Sequence, residues 1–405
     1  MMRPFKTIIS FDEALQRLRD AVVPIARTER IALDKASGRV AAADLASTLD
    51  VPPFARSAMD GYAVIAADTA GASATSPAPL QIVERIYTGQ TPRRAVVSGT
   101  CAEIATGAPL PDGADAVVMV EQTALESEQC VLIRTSAAAG QNIGRRGGDV
   151  SAGALVMRRG DVLNPGRIGA VAAIGCGKVE VYARPRVAIL STGNEVVEPG
   201  TPLRPGQIFD VNRFTLAAIV EAHGGAADAR RPVDDSVEAL GNALDACAGT
   251  DIVVFSGGSS VGERDLIVDL IASRGEMIFH GIAVKPGKPT AFARLRAGGT
   301  PFFGMPGNPT SCLSNAYVLL VPFLRAVARL PPLGGRTLRV PLGKPIVSHA
   351  GRLQFYTVKL DGGLALPAFK GSGEITSLSH ADGYIRIPAD QSVVNEGEEV
   401  EVTLF

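Results

Sequence analysis

Lys285 and Lys288 stand in GIAVKPGKPTAF, residues 281–292, where two lysines, two prolines and a glycine separate two short apolar runs. Pro286 and Pro289 fix φ and carry no backbone N–H, so the stretch reads as a rigid bracket. Two ammonium groups held on such a bracket would give a small dianion charge-assisted contacts. Taken alone, a solvated turn with surface lysines explains the stretch equally well.

Three Gly-rich polar loops follow apolar runs: STGNE (Ser191, Thr192, Gly193 onward), SGGSSVGERD (256–265) and GMPGNPT (304–310). Glycine lets a backbone approach a ligand, and N–H groups at a helix start favour phosphate. None of the three is a P-loop or a G-x-G-x-x-G fingerprint. One such loop is most simply a turn with a cap; three on one edge point to anion binding.

The acids are weaker signals one by one. Asp60, in SAMDGYAV, has the Asp-Gly pair of a hairpin turn, and Asp149, in RRGGDV, reads as a turn aspartate. Glu195 follows Thr192 at capping-box spacing, Asp234 precedes a helix as a plausible cap, and Asp265 falls in a first helical turn. Together, carboxylates beside phosphate-type loops suit a magnesium site. Arg352 in AGRLQFY and Ser372 in KGSGE read as surface turn residues. His223, His280, His349 and His380 show no metal spacing, and no Ser–His–Asp set is apparent.

The elements that must position these groups change character along the chain. Ser10 and Glu13 form an S-x-x-E box ahead of an amphipathic helix. From about Ile31 to Tyr182 the chain is short strand-like runs broken by Gly and Pro, with DTAGASATSPAP as a flexible loop. From Arg184 buried strands (RVAIL, DIVVFS) alternate with helices, which predicts a parallel α/β domain with ligands at the carboxyl ends of its strands. A long helix, PTSCLSNAYVLLVPFLRAVARL, closes it; PPLGG is a linker, and 336–405 reads as a small β-barrel.

Composition sets the outer limits. A chain of 405 residues exceeds one core. Forty Lys plus Arg against 41 Asp plus Glu give a formal charge of -1, without the basic excess of a nucleic-acid or membrane-surface protein. Five cysteines form no C-x-x-C pair and leave an odd thiol, which suits a reducing, cytoplasmic setting. No run approaches the length of a membrane span.

In order and spacing, PPFARSAMDGYAV, ATGAPLPDGADAVVMVE, GQNIGRRGGDV, STGNEV, SGGSSVGERD, AVKPGKPTAF and GMPGNPTS resemble the MoeA-type molybdopterin molybdenumtransferases. These bacterial enzymes are related to the E domain of gephyrin and of its plant counterpart, and the resemblance covers essentially the whole chain. It implies an α/β and β multidomain fold. Residues 1–46 and 147–183 would form a discontinuous N-terminal helical/β domain, and 47–146 an inserted β-rich domain. A MogA-like α/β molybdopterin-binding domain with a parallel-rich sheet would span 184–332, and a C-terminal β-barrel 333–405. The implied activity is the last step of molybdenum cofactor assembly: molybdenum passes from molybdate to adenylylated molybdopterin, Mg²⁺ assists, and AMP leaves. The implied assembly is a homodimer, with a MogA-type adenylyltransferase as a further partner and no nucleic acid or membrane.

The resemblance also implies roles. Asp60 and Asp149 would be acids contributed by the partner subunit's side of the cleft. Glu195, Asp234 and Asp265 would be acids on the α/β side that hold the metal. Ser191, Thr192 and Gly193, with Ser256, Gly257, Gly258, Ser259, Ser260, Gly262, Pro306, Gly307, Asn308 and Pro309, would bind the substrate and its phosphates. Lys285, aided by Lys288, Arg352 and Ser372, would hold molybdate. One departure stands out: Gly281, after His280, occupies the place of a second family lysine, so either Lys288 or His280 would supply part of that charge or molybdate would bind more weakly. Asn194 stands where aspartate is common. Two other functions share parts of the pattern, a MogA-like adenylyltransferase and a non-catalytic gephyrin-like scaffold. The inserted domain, the barrel and SAMDGYAV favour metal insertion over the first. The retained acids and Lys285 argue against the second.

Overall fold

The computed structural model describes residues 8–234, 236–257, 266–348 and 351–405. The chain divides into two units: one runs to Glu29 and continues through Gly38–Val40 and Val181–Phe405, and the other holds Arg30–Ser37 and Ala41–Glu180.

In the first unit a six-stranded sheet runs in the order Ala226–Ala229, Arg186–Ser191, Ile252–Ser256, Pro301–Met305, Ala291–Leu295, Gly275–His280. The first four strands are parallel, and Ala291–Leu295 pairs antiparallel with both of its neighbours, so that it alone runs against the rest. Alternation sends Val187 and Ile189 to one buried face and Ala188 and Leu190 to the other, which is why RVAIL is apolar throughout. The first face packs against Leu216, Ile219 and Val220 of the helix Asn212–Ala222 and against Phe11, Ala14 and Leu18 of the helix Phe11–Asp20. The other packs against Leu240 and Leu244 of the helix Val237–Asp245. Ser10 caps the first helix by accepting from the Glu13 N–H at 3.1 Å. The Glu13 carboxylate pairs with Arg17 at 2.7 Å, so only half of the expected box forms.

The closing helix Pro309–Val327 has a mean hydropathy of 1.3 and length enough to cross a membrane, contrary to the sequence-based statement. It is 72% buried inside the protein, as a core helix is, and passes through a π-helical turn at Ala316–Leu320. Beyond it, Leu353–Asp361, Gly383–Ile387, Glu399–Leu404 and Thr337–Pro341 pair in sequence, and Leu364–Pro367 adds to the first of them. The Gly343 N–H donates to the Ala365 carbonyl at 2.8 Å beside a Leu342–Ala365 bridge, closing the five strands into the expected barrel. Val284–Lys285 joins this sheet in parallel with Leu353 and Gln354.

The second unit is built on a six-stranded sheet, in the order Ala116–Met119, Gly61–Val64, Thr100–Ile104, Ala78–Ile86, Cys130–Ile133, Thr123–Ser127. Tyr62 and Val64 enter one core and Ala63 the other, so both faces are covered. Asp60-Gly61 is not a hairpin turn. Gly61 opens a central strand between Met119 and Ile104, and a Cβ there would lie 1.9 Å from the Val118 carbonyl oxygen. Residues 78–79 of the expected loop belong to a strand. The helix Pro165–Ala173 was not anticipated, although Asn164 caps it and Pro165 starts it.

Candidate active site

Ser191, Ser256 and Met305 are register partners at the carboxyl ends of three adjacent parallel strands, so the three Gly-rich loops leave the sheet side by side. They line a cavity of about 730 Å³, which includes Ser191, Thr192, Gly193, Glu195, Ser256, Gly257, Pro306, Gly307, Asn308 and Pro309. Gly258, Ser259, Ser260, Gly262 and Asp265 lie outside the described residues.

Two side chains that the sequence reading passed over tie these loops together. Asn212, 8% exposed, donates its Nδ2 to Ser256 Oγ at 2.7 Å and to the Gly307 carbonyl at 2.8 Å. Asp210, 3% exposed, accepts from the Arg213 N–H at 3.0 Å and from Ser191 Oγ at 3.3 Å. Its carboxylate lies 3.6 Å from Arg213 Nε, and Arg213 also pairs with Glu198 at 2.6 Å. The run DVNR (210–213), two polar groups and an arginine directly ahead of an apolar helical face, is the signal that could have marked them. Behind Ser256, burial pushes the Cys312 thiol up to about 12, which keeps it neutral.

A second cavity of about 400 Å³ adjoins the first, and Pro289, Asn308 and Ser311 line both. Lys285, Lys288, Arg352 and Ser372 line it, so Arg352 and Ser372 are not the plain surface residues that local context suggested. Asn308 Nδ2 donates to Ser372 Oγ at 3.3 Å, and the Thr310 N–H donates to the Ser372 carbonyl at 3.1 Å. Burial first, and then the Arg352 charge, lower the Lys285 ammonium below the usual lysine value. An anion between these groups would relieve that repulsion. Among the described residues, the lining includes neither His280 nor Gly281.

The acids separate. Glu195 faces the larger cavity and leads into the short strand Val196–Val197, not a helix; Thr192 Oγ1 donates instead to the Val233 carbonyl at 3.1 Å. Asp234 is not the cap of the next helix, because Ser236 Oγ accepts from the Ala239 N–H at 3.2 Å. Asp234 lies just beyond the Thr192–Val233 bridge, outside the cavity lining. Asp60 and Asp149 belong to the second unit. Asp60 accepts from the Thr106 N–H at 2.7 Å, and that bond lowers its carboxyl below the ordinary aspartate value.

Three family profiles match consecutive stretches: "MoeA N-terminal region (domain I and II)" over 9–175, "Probable molybdopterin binding domain" over 188–326, and "MoeA C-terminal region (domain IV)" over 339–405. A molybdopterin molybdenumtransferase 2 of Mycobacterium tuberculosis is 36% identical over 397 residues, covering 96% of this chain and 97% of its own. A crystal structure of a molybdopterin biosynthesis MoeA protein from Pyrococcus horikoshii superposes with a TM-score of 0.83 at 39% identity, over 98% of this chain and 99% of that one. A second, of the same description and organism, gives 0.81 at 30% identity, over 98% and 100%.

Proposed function

This chain belongs to the MoeA family of molybdopterin molybdenumtransferases, transferases of molybdenum cofactor biosynthesis, and from that premise we propose which part of the reaction each cavity serves. Adenylylated molybdopterin occupies the larger cavity and molybdate the smaller. Molybdenum passes to the dithiolene as AMP is released. The observation that carries this reading is the shared wall of Pro289, Asn308 and Ser311 between a cavity rimmed by Gly-rich loops and one lined by three cations.

The chain's own groups divide the work. The backbone N–H groups of Gly193, Gly307 and Asn308, on loops that line this cavity, suit phosphate oxygens, as backbone donors beyond strand ends do. Lys285, Lys288, Arg352 and Ser372 offer positive charge and a hydroxyl to a tetrahedral dianion. Glu195, whose carboxylate folds against Gly193, offers an oxygen donor for Mg²⁺, with Asp234 and Asp265 as proposed companions. Among the described residues no three His, Cys, Asp or Glu side chains cluster as ligands. That donor set fits an ion that keeps most of its shell as water and phosphate oxygen. When bound, the ion would neutralise phosphate charge.

The four-domain division given above, a homodimer with Asp60 and Asp149 supplied by the partner subunit's second unit, and a MogA-type adenylyltransferase upstream complete the reading. Five unpaired thiols accord with a cytoplasmic setting. The test is AMP release from adenylylated molybdopterin with Mg²⁺ while molybdate is titrated. Molybdate-dependent release is expected; no release under any condition would favour a binding role.

A further inference from the structure

The proline-stiffened bracket is aimed by a side chain from outside it. Asn315, fully buried, ends the helix Pro309–Asn315 where the chain enters the π-helical turn Ala316–Leu320. Its Nδ2 donates to the Gly287 carbonyl at 2.8 Å and to Thr290 Oγ1 at 2.5 Å. Thr290, also fully buried, donates its hydroxyl to the same carbonyl at 2.9 Å. The ends of the bracket are fixed by backbone: Lys285 pairs with Gln354, and the Gly281 N–H donates to the Thr290 carbonyl at 2.9 Å. Its apex is different. Pro286 and Pro289 have no N–H to give, and Gly287 sits at φ +96° with the Asn315 amide 2.2 Å from where a Cβ would stand. Proline stiffness keeps the shape of the apex; the Ile282 N–H, donating to the Lys288 carbonyl at 2.9 Å, tethers one side of it, and Asn315 holds Gly287 at its tip.

Among the described residues the Asn315 Oδ1 has no protein partner, so what the amide supplies to the fold is its two donated bonds. The donor end accounts for the amide. The π-helical turn that follows it is a local distortion of the kind often found at functional sites.

We propose that Asn315 is a positioning residue for the oxyanion, holding the apex between Lys285 and Lys288 through Gly287 so that both ammonium groups face the smaller cavity. This rests on the assignment of that cavity to molybdate. Displacing a binding group by about 1 Å can cost up to about 100-fold in rate, so a buried clamp on this charge pair has a measurable consequence.

The test is calorimetric titration of the intact protein with molybdate, for wild type, Asn315→Leu, Thr290→Val and Thr290→Ser. Asn315→Leu keeps the branched shape, though with more bulk, and drops the donor; it should bind molybdate about tenfold more weakly, with binding of adenylylated molybdopterin unchanged. In turnover, the KM for molybdate should rise without a matching fall in kcat. Thr290→Val should shift in the same direction, and Thr290→Ser should behave as wild type. Wild-type molybdate binding by both Asn315→Leu and Thr290→Val would overturn the positioning role. Should Asn315→Leu not fold, Thr290→Val carries the same test. No molybdate binding by wild type would overturn the assignment of the cavity itself, and the role of Asn315 with it.

Discussion

Lys285 and Arg352 face one 400 Å³ cavity because Val284–Lys285 pairs in parallel with Leu353–Gln354, the residues immediately after Arg352. Two cations are thereby held on one wall, and burial together with the Arg352 charge lowers the Lys285 pKa. A bound dianion favours protonated Lys285, so affinity is full while that ammonium is charged and declines as pH rises through its lowered pKa. Molybdate affinity should therefore fall at a lower alkaline pH than an ordinary lysine would dictate. Lys285→Arg, which stays charged, should remove that fall. Calorimetry at stepped pH decides it; the same profile in both proteins would remove Lys285 from the oxyanion site.

Asn212 ties two loops of the larger cavity through Ser256 Oγ and the Gly307 carbonyl. Asn212→Ala removes both bonds and should weaken adenylylated molybdopterin binding by about 1–3 kcal/mol, roughly fivefold to a hundredfold. Molybdate binding in the smaller cavity should be unaffected. Titration of the two ligands separately checks this, and equal losses for both would mean that the substitution disturbs the whole α/β unit.

What was legible in the sequence follows from the range of the forces involved. RVAIL and DIVVF are apolar because both faces of their sheet are buried, so periodicity alone located the α/β unit. The Gly-rich loops followed from strand ends, since ligands gather there in parallel sheets. Short spacing rules misled where a longer-range partner won. Thr192 bonds to Val233 and not forward to a helix, and Gly61 is a glycine because Val118 passes close by, not because a hairpin turns there. Arg352 looked like a surface charge because its neighbour Lys285 is remote in sequence and meets it only through a parallel strand pair. Asp210, Asn212 and Asn315 were missed for the same reason: their partners are set by the fold, and a buried amide in an apolar helix carries no local pattern.

Asp60 and Lys285 fall in different units, and the proposed cleft takes one from each subunit of a homodimer. Asp60→Ala and Lys285→Ala should each be nearly inactive alone. Mixed after co-expression, they should recover up to about a quarter of wild-type activity, because half of the heterodimer's sites are intact and heterodimers form half of a random mixture. Activity assays on the mixture measure this, and isolating the heterodimer through two different tags should raise the recovery to about half. No recovery in a verified heterodimer would place both residues in one subunit's site or remove Asp60 from it.

Gly281 stands where the family resemblance implies a second lysine, and its backbone argues against restoring that residue here. It is buried at φ +101°, its N–H donates to the Thr290 carbonyl at 2.9 Å, and its own carbonyl accepts from the Ile9 N–H at 3.2 Å. A side chain at positive φ costs about 1–2 kcal/mol from the backbone alone, before a buried ammonium is added. Lys288, by contrast, lines the smaller cavity. Gly281→Lys should therefore lower stability in a denaturant titration by at least about 1 kcal/mol and leave the KM for molybdate no better. Lys288→Ala should raise that KM while kcat at saturating molybdate changes little. A lower KM in Gly281→Lys would return the second charge to position 281, whereas an unchanged KM in Lys288→Ala would leave Lys285 and Arg352 as the cations that hold the anion.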